Sequence, residues 1–146
     1  YILSYYKIGN VKNLLMIDKE ERPIPYIITA IGFYSSYLFI RQIHLPLTEI
    51  LNIFLIGSSI LILLTLLINT RWKISAHMVG IGGLTAMVII MHLLLFTLPF
   101  QLYAIIIIAG LLGTARLYLH AHSPAQVYIG FLLGFCGMYG FFLLSV

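Results

Sequence analysis

The chain has 146 residues, of which 62% are hydrophobic and only 8% are charged. A soluble globular domain carries about 25% charged residues, so this composition excludes a water-soluble fold and indicates an integral membrane protein. The net charge of +4 comes from cations scattered between apolar runs. Because these cations form no stripe with exposed aromatic residues, nucleic acid is excluded as a partner and anionic lipid is favoured.

Apolar runs follow one another along the chain, over residues 25–40, 45–68, 78–98, 100–115 and 127–146. We expect the last four to cross a bilayer, which takes about 20 residues, and the first to form a shorter fifth span. Residues 1–17 are also apolar and the chain opens at Tyr1, so we expect part of an earlier span to be missing. The prediction is one all-α domain over residues 1–146, a polytopic transmembrane helical bundle of about five to six spans.

Three polar clusters interrupt these runs, at Arg22, at residues 71–77 and at residues 116–126. Two predicted crossings separate each cluster from the next, so all three emerge on one membrane face. Ionisable groups at such a border are candidates for function. We therefore predict an active site at that face only.

Two of these clusters carry signals for the start of a helix. Ser123, Pro124 and Gln126 fit an N-cap, a first helical residue and the third position of a capping box. Gln126 fits two roles equally well: capping the helix, and orienting the imidazole ring of His122 through a hydrogen bond. Ser75 can cap a second helix that starts near Ala76, so that backbone N–H groups at its positive end favour an anion.

Small residues recur at helical spacing and predict close helix packing. They are Gly130, Gly134 and Gly137 in the last span, and Gly80 with Gly83 in an earlier one. The single cysteine, Cys136, has no partner for a disulfide within the chain, and its apolar surroundings predict a buried packing role.

Two motifs carry a family resemblance. Ser75-Ala-His77, and then Arg116, His122 and Gln126 at their spacing, resemble the second and third signature motifs of the type 2 phosphatidic acid phosphatase family, which is related to the vanadium haloperoxidases. Arg22, after a charged run, resembles the end of that family's first motif. The resemblance spans nearly the whole chain, since the order of the motifs and the spans between them agree.

The resemblance implies a phosphatase that acts through a phosphohistidine and needs neither a metal nor another cofactor. The histidine at the position of His122 attacks phosphorus, and the one at His77 protonates the departing oxygen. Gln126 stands where the family has the residue that orients the nucleophile. The groups expected to bind the phosphate are Arg22, Arg116, Ser75, Ala76, Lys19 and Lys73.

The expected substrate is a membrane lipid phosphate monoester or diphosphate whose tails stay in the bilayer, with no protein partner. The expected location is a bacterial inner membrane. Two predictions are open for the membrane side on which the site lies. Most cations lie on the motif face, which places the site in the cytoplasm by the positive-inside rule. Bacterial members of the family, in contrast, usually have their site on the outer side. Arg71 and Lys73 also fit an interfacial anchor around Trp72.

Five positions depart from the family pattern. The family has lysine at Leu15, proline at Ile74, glycine at Ala76, serine at Ala115 and aspartate at Gln126. Gln126 accepts a hydrogen bond from an imidazole but brings no charge to stabilise an imidazolium. An alternative is therefore a catalytically weakened relative that binds anionic lipid without hydrolysing it.

Two further alternatives use the histidines as metal ligands. A b-type cytochrome would ligate one haem through His77 and His122 and a second through His92 and His44. A zinc site would use His77, His120 and His122.

Overall fold

The computed structural model describes residues 23–43, 48–95 and 99–145. Within these ranges the chain forms helices and no strand. The helices are α1 (Pro23–Ile40), α2 (Thr48–Arg71), α3 (Ala76–Leu95), α4 (Pro99–Tyr118) and α5 (Pro124–Ser145). All five are long and apolar enough to cross a membrane. The protein is an integral membrane protein with a polytopic helical bundle, as its composition predicts.

The predicted spans and the observed helices agree to within three residues at each end. Most differences arise because helices continue into polar residues that an apolar run does not include. α2 ends at Arg71 rather than at residue 68, and α5 begins at Pro124 rather than at residue 127. Proline is the first residue of α1, α4 and α5, where its fixed φ fits the helix and its missing N–H is not needed.

α3 is the most buried of the five helices and packs against α2, α4 and α5. Large apolar side chains on the outer faces of the other helices are exposed, as expected of surfaces that contact lipid tails. Two apolar clusters flank α3. One joins it to α2 and α5 through residues such as Leu61, Val79 and Met138, and the other joins it to α4 and α5 through Met78, Ile105 and Val127.

Glycines let α3 and α5 approach each other at backbone distance. A Cβ placed on Gly134 would collide with the carbonyl group of Val79, and one on Gly130 would lie 2.9 Å from the carbonyl oxygen of Ser75. In a bilayer, association between helices depends on such close packing because lipid tails are as apolar as the side chains. The close approach predicted for Gly130 and Gly134 is confirmed.

Other packing predictions need correction. Gly80 has no atom within 4 Å of an added Cβ, so the close contact predicted for it is wrong, and Gly82 meets the Phe131 backbone of α5 instead. Gly83 and Gly137 are closely packed as predicted, Gly83 against the Gly134 backbone and Gly137 against the side chain of Leu61 on α2. Cys136 is exposed on α5, so the buried role predicted for it is wrong.

The two described polar clusters lie at the same end of the bundle, which we call the motif end. The backbone N–H of Ser75 donates a hydrogen bond to the carbonyl oxygen of Gln126 at 3.4 Å. This bond joins the start of α3 to the first turn of α5, so the two helices run parallel from a common level. The third cluster, at Arg22, is outside the described residues.

Candidate active site

A tight turn between α4 and α5 begins the site. The N–H of His120 donates to the carbonyl oxygen of Leu117 at 3.0 Å, and that of Ala121 donates to Arg116 at 3.2 Å. These two bonds form a Schellman motif, in which the residue after the helix adopts a left-handed conformation. His120 takes that position with φ at 48°. The turn ends α4 just beyond Arg116 and leads the chain to His122 within a few residues.

The start of α5 is a capping box, as predicted. The N–H of Gln126 donates to Ser123 Oγ at 3.4 Å, and the N–H of Ser123 donates to Gln126 Oε1 at 3.2 Å. Two N–H groups at the helix start are thereby satisfied reciprocally. The backbone N–H of Ser123 can only donate, so it identifies the amide atom that faces it as the oxygen.

His122 lies just before this cap and is half-buried. Its Nδ1 is 3.0 Å from the same Gln126 Oε1. Because that oxygen accepts, Nδ1 must donate, and a neutral imidazole then carries its lone pair on Nε2. Gln126 is thus both the helix cap and the orienter of the histidine. The bond leaves Nε2 as the ring nitrogen of His122 that carries the lone pair.

Ser75 is fully buried immediately before α3. Its carbonyl oxygen accepts the N–H groups of Met78 and Val79, both at 3.0 Å, and so begins the helix. Its Oγ is buried without a hydrogen-bond partner among the described residues. Ser75 therefore stands at the N-cap position of α3, as predicted, but its hydroxyl makes no capping hydrogen bond with the described residues of that helix. The side chain packs beside Gly130 instead, 3.6 Å from the position of an added Cβ.

Arg116, in the last turn of α4, also holds an unpartnered donor. Its side chain is half-buried, and its Nε is buried without a partner among the described residues. A buried polar atom left unpaired costs about 1–3 kcal/mol, so such atoms call for an explanation. Of the three such side-chain atoms in the described chain, two belong to predicted phosphate-binding residues, Ser75 and Arg116. Each of the two atoms is a donor, which is the kind of group that binds an anion.

His77 is the second residue of α3 and is exposed. Together with Ala76 it lines a cavity of about 400 Å³ between α1, α2 and α3. Lys73 is half-buried in the short connection between α2 and α3. Trp72 packs partly buried against the apolar cluster of α2, α3 and α5, which assigns it a packing role.

The structure thus brings the described parts of the second and third motifs to one end of the bundle. Gln126 contacts both His122 and the Ser75 backbone, while Arg116 and His77 come from neighbouring helix ends. The predicted positions Leu15, Lys19, Arg22 and His44 lie outside the described residues.

Among the residues that the structure describes, no three histidine, cysteine or acidic side chains are grouped so that they could hold a metal ion. The zinc alternative, which needs His77, His120 and His122 together, is therefore not supported. His92 is half-buried in the last turn of α3, so α3 carries a histidine near each end.

No protein-family model, curated protein or solved structure matches the chain. The resemblance to the phosphatase family therefore depends on the motif residues and on their arrangement in the fold.

Proposed function

We propose that the protein is a membrane phosphatase that hydrolyses a lipid phosphate monoester or diphosphate through a phosphohistidine at His122, without a metal. The observation that carries the proposal is the hydrogen bond from His122 Nδ1 to Gln126 Oε1. It leaves Nε2 as the nitrogen with the lone pair, which is what nucleophilic attack on phosphorus requires.

The reaction has two steps. In the first, Nε2 of His122 attacks the terminal phosphorus, the bond from phosphorus to the oxygen of the leaving group (a lipid alcohol, or a lipid monophosphate from a diphosphate) breaks, and His77 gives that oxygen a proton. In the second, His77 takes a proton from water, the resulting hydroxide attacks phosphorus, and the bond to Nε2 breaks. Inorganic phosphate leaves and both histidines return to their starting states. The exposure of His77 suits this second step, which needs water.

The phosphoryl group needs donors to its equatorial oxygens, because positioning and charge stabilisation supply most of the catalysis in phosphoryl transfer. Ser75 Oγ and Arg116 Nε are buried donors without a partner in the described chain. The N–H groups in the first turn of α3, starting at Ala76, add the positive end of a helix dipole. Lys73 lies in the connection just before this turn and adds a cation. The family resemblance adds two more expected cations, Lys19 and Arg22.

A second candidate function follows from Gln126 itself. Its amide oxygen orients His122 but carries no negative charge to stabilise the cationic phosphoimidazole. In serine proteases, replacing the carboxylate beside the catalytic histidine by an amide costs about 10⁴ in rate. The second candidate is therefore a protein that binds lipid phosphate and hydrolyses it extremely slowly or not at all.

The test is the release of inorganic phosphate by purified protein in detergent, with a chelator present. The substrates are phosphatidic acid, phosphatidylglycerophosphate and a polyprenyl diphosphate. We expect release from at least one of them, its loss in His122→Ala, and its retention in His120→Ala, a matched exposed histidine in the same turn. Binding of a substrate without release would favour the second candidate, and release by His122→Ala would exclude the phosphohistidine.

A bacterial inner membrane is the proposed location. The five candidate spans support a membrane location. The inner membrane of a bacterium is favoured by the resemblance to the phosphatase family, which has bacterial members that act on membrane lipids.

A further inference from the structure

The cavity beside His77 lies apart from the nucleophile. α1, α2 and α3 form its walls, with a contribution from Met138 of α5, and His122 and Arg116 are not among the described residues that line it. Its volume of about 400 Å³ is within the range of about 300–1,000 Å³ typical of ligand sites.

The walls of the cavity are suited to hydrocarbon. Among the described residues that line it there is no aspartate, glutamate, lysine or arginine. Two of its threonines use their hydroxyl groups within their own helices. Thr29 donates to the carbonyl oxygen of Pro25 at 2.7 Å, and Thr65 donates to that of Leu61 at 2.6 Å. Neither hydroxyl therefore requires a polar group in the cavity.

The cavity extends from the motif end towards the middle of the membrane. Along α3 it is lined by His77, Gly80 and Leu84, which lie on successive turns of one face. Seven residues of helix correspond to about 10 Å, which is about a third of a hydrocarbon core of about 30 Å. The polar end of the cavity is therefore His77, and the remainder lies at the depth of lipid tails.

We infer that this cavity holds one hydrocarbon chain of the lipid leaving group, with the oxygen bonded to phosphorus at His77. The inference rests on the proposed function and adds to it the position of the tail. A general acid must lie within hydrogen-bond reach of the oxygen it protonates. Because His77 lines this cavity and His122 does not, a tail held here places the leaving oxygen at His77 and away from His122, and in-line displacement requires such a separation.

The cavity is expected to contribute to catalysis mainly by positioning the substrate and only slightly by binding it. A lipid tail gains little free energy on leaving the bilayer for an apolar cavity, since both surroundings are equally apolar. A chain held at a fixed place nevertheless aligns the phosphorus with His122, and misplacement by about 1 Å can cost about 100-fold in rate. The expected consequence is selectivity for chain length in kcat/KM.

Gly80→Leu tests this inference. An added Cβ at Gly80 meets nothing within 4 Å, so the larger side chain enters the cavity without striking the backbone of a neighbour. Gly110→Leu on α4 is the matched control, because that glycine is also in open space and does not line the cavity. The assay measures kcat/KM for a series of n-alkyl phosphates of increasing length.

For the wild type and Gly110→Leu we expect kcat/KM to rise with chain length. For Gly80→Leu we expect a loss of about 10-fold or more for the longest chains, with the shortest ones unaffected. The chain length preferred by Gly80→Leu should therefore be shorter. The same profile in all three proteins, or an equal loss at every length in Gly80→Leu, would overturn the inference.

A second measurement does not depend on turnover. An alkyl phosphate with a photoreactive diazirine near its chain end is crosslinked to His122→Ala, alone and combined with Gly80→Leu. We expect labelled residues on the cavity faces of α1, α2 and α3, and loss of this labelling when Gly80→Leu is present. Labelling confined to other faces, as would follow if residues 1–22 or a second copy filled the cavity, would refute the assignment. Failure of phosphate release by the wild type would instead count against the proposed function alone.

Discussion

Gln126 links the structure of the chain to its proposed chemistry. One amide oxygen accepts from the Ser123 backbone at 3.2 Å and from His122 Nδ1 at 3.0 Å. The backbone carbonyl of the same residue accepts from Ser75 at 3.4 Å. A single residue therefore begins α5, sets the tautomer of His122 and connects the two motifs.

Gln126→Glu should increase the rate of phosphate release, by about tenfold or more in kcat. Glutamate has the same length as glutamine and is equally suited to the third position of a capping box, so both hydrogen bonds to the oxygen are preserved. The new negative charge stabilises the cationic phosphoimidazole. The comparison is kcat for wild type and variant on the same lipid phosphate.

Gln126→Ala is the matched control, because it removes both hydrogen bonds and should lower kcat by about 10² to 10⁴. Thermal unfolding of all three proteins in detergent separates this effect from loss of the helix cap, which costs about 1 kcal/mol. An unchanged kcat in Gln126→Glu, with its stability preserved, would show that this residue does not act through His122.

His120 stores backbone strain in the turn before His122. Its φ of 48° belongs to the left-handed region, which costs a residue with a Cβ about 1–2 kcal/mol and glycine almost nothing. His120→Gly should therefore raise the free energy of unfolding by about 1 kcal/mol and leave phosphate release unchanged. Thermal unfolding and the release assay check both parts. A His120→Gly protein that folds but releases no phosphate would show that the imidazole has a chemical role.

The residues of the site were predictable where the signal is local. The capping box depends on positions three residues apart, and it forms as the sequence predicts. The turn at His120 was not predictable, because the usual signal is a glycine at that position. The environment of the Ser75 hydroxyl is not predictable from local sequence, because it is set by Gly130, 55 residues further along the chain.

At the scale of elements, the parallel pair α3 and α5 positions the site. The contact between Gly134 and the Val79 carbonyl sets the distance between these helices, and the Ser75–Gln126 hydrogen bond lies at their common end. A larger residue in this contact would move the start of α3, which carries His77, away from the start of α5, which follows His122.

Gly134→Ala should destabilise the protein by about 1–3 kcal/mol, because the added methyl group meets backbone, which cannot move aside as a side chain can. It should also lower phosphate release, since the two motifs no longer meet in register. Gly140→Ala on the same helix meets nothing within 4 Å and should be neutral or stabilising by up to about 1 kcal/mol. Equal unfolding temperatures for the two variants would contradict this role of the contact.

The helices themselves follow from the sequence, because a run of apolar residues of sufficient length has few alternatives in a bilayer. Which faces meet does not follow. Spacing favours Gly80 and Gly83 for a close contact, and only the position of α5 decides that Gly83 and Gly82 make it and Gly80 does not. Periodicity predicts a face of small residues on a helix, but the neighbour that it meets depends on the arrangement of the whole bundle.

At the scale of the molecule, alternation of the spans places the polar segments of both motifs at one membrane face. Cysteines introduced at Arg71 and at Leu119, in a Cys136→Ala background, should therefore react with a membrane-impermeant maleimide from the same side of oriented vesicles. A cysteine at Gln42, in the turn after α1, should react from the opposite side. Reaction of the Gln42 and Leu119 positions from one side would contradict the topology. The side that reacts at Leu119 also identifies the compartment of the site.

The most direct test of the central claim is to trap the phosphoenzyme. Purified protein is mixed with a lipid phosphate carrying radioactive phosphorus, quenched within the first turnover, and assayed for label that resists base and is lost in acid, as a phosphohistidine is. We expect such label on the peptide that contains His122 and none in His122→Ala. Release of phosphate by the wild type with no label on His122 at any quench time would contradict the proposed mechanism.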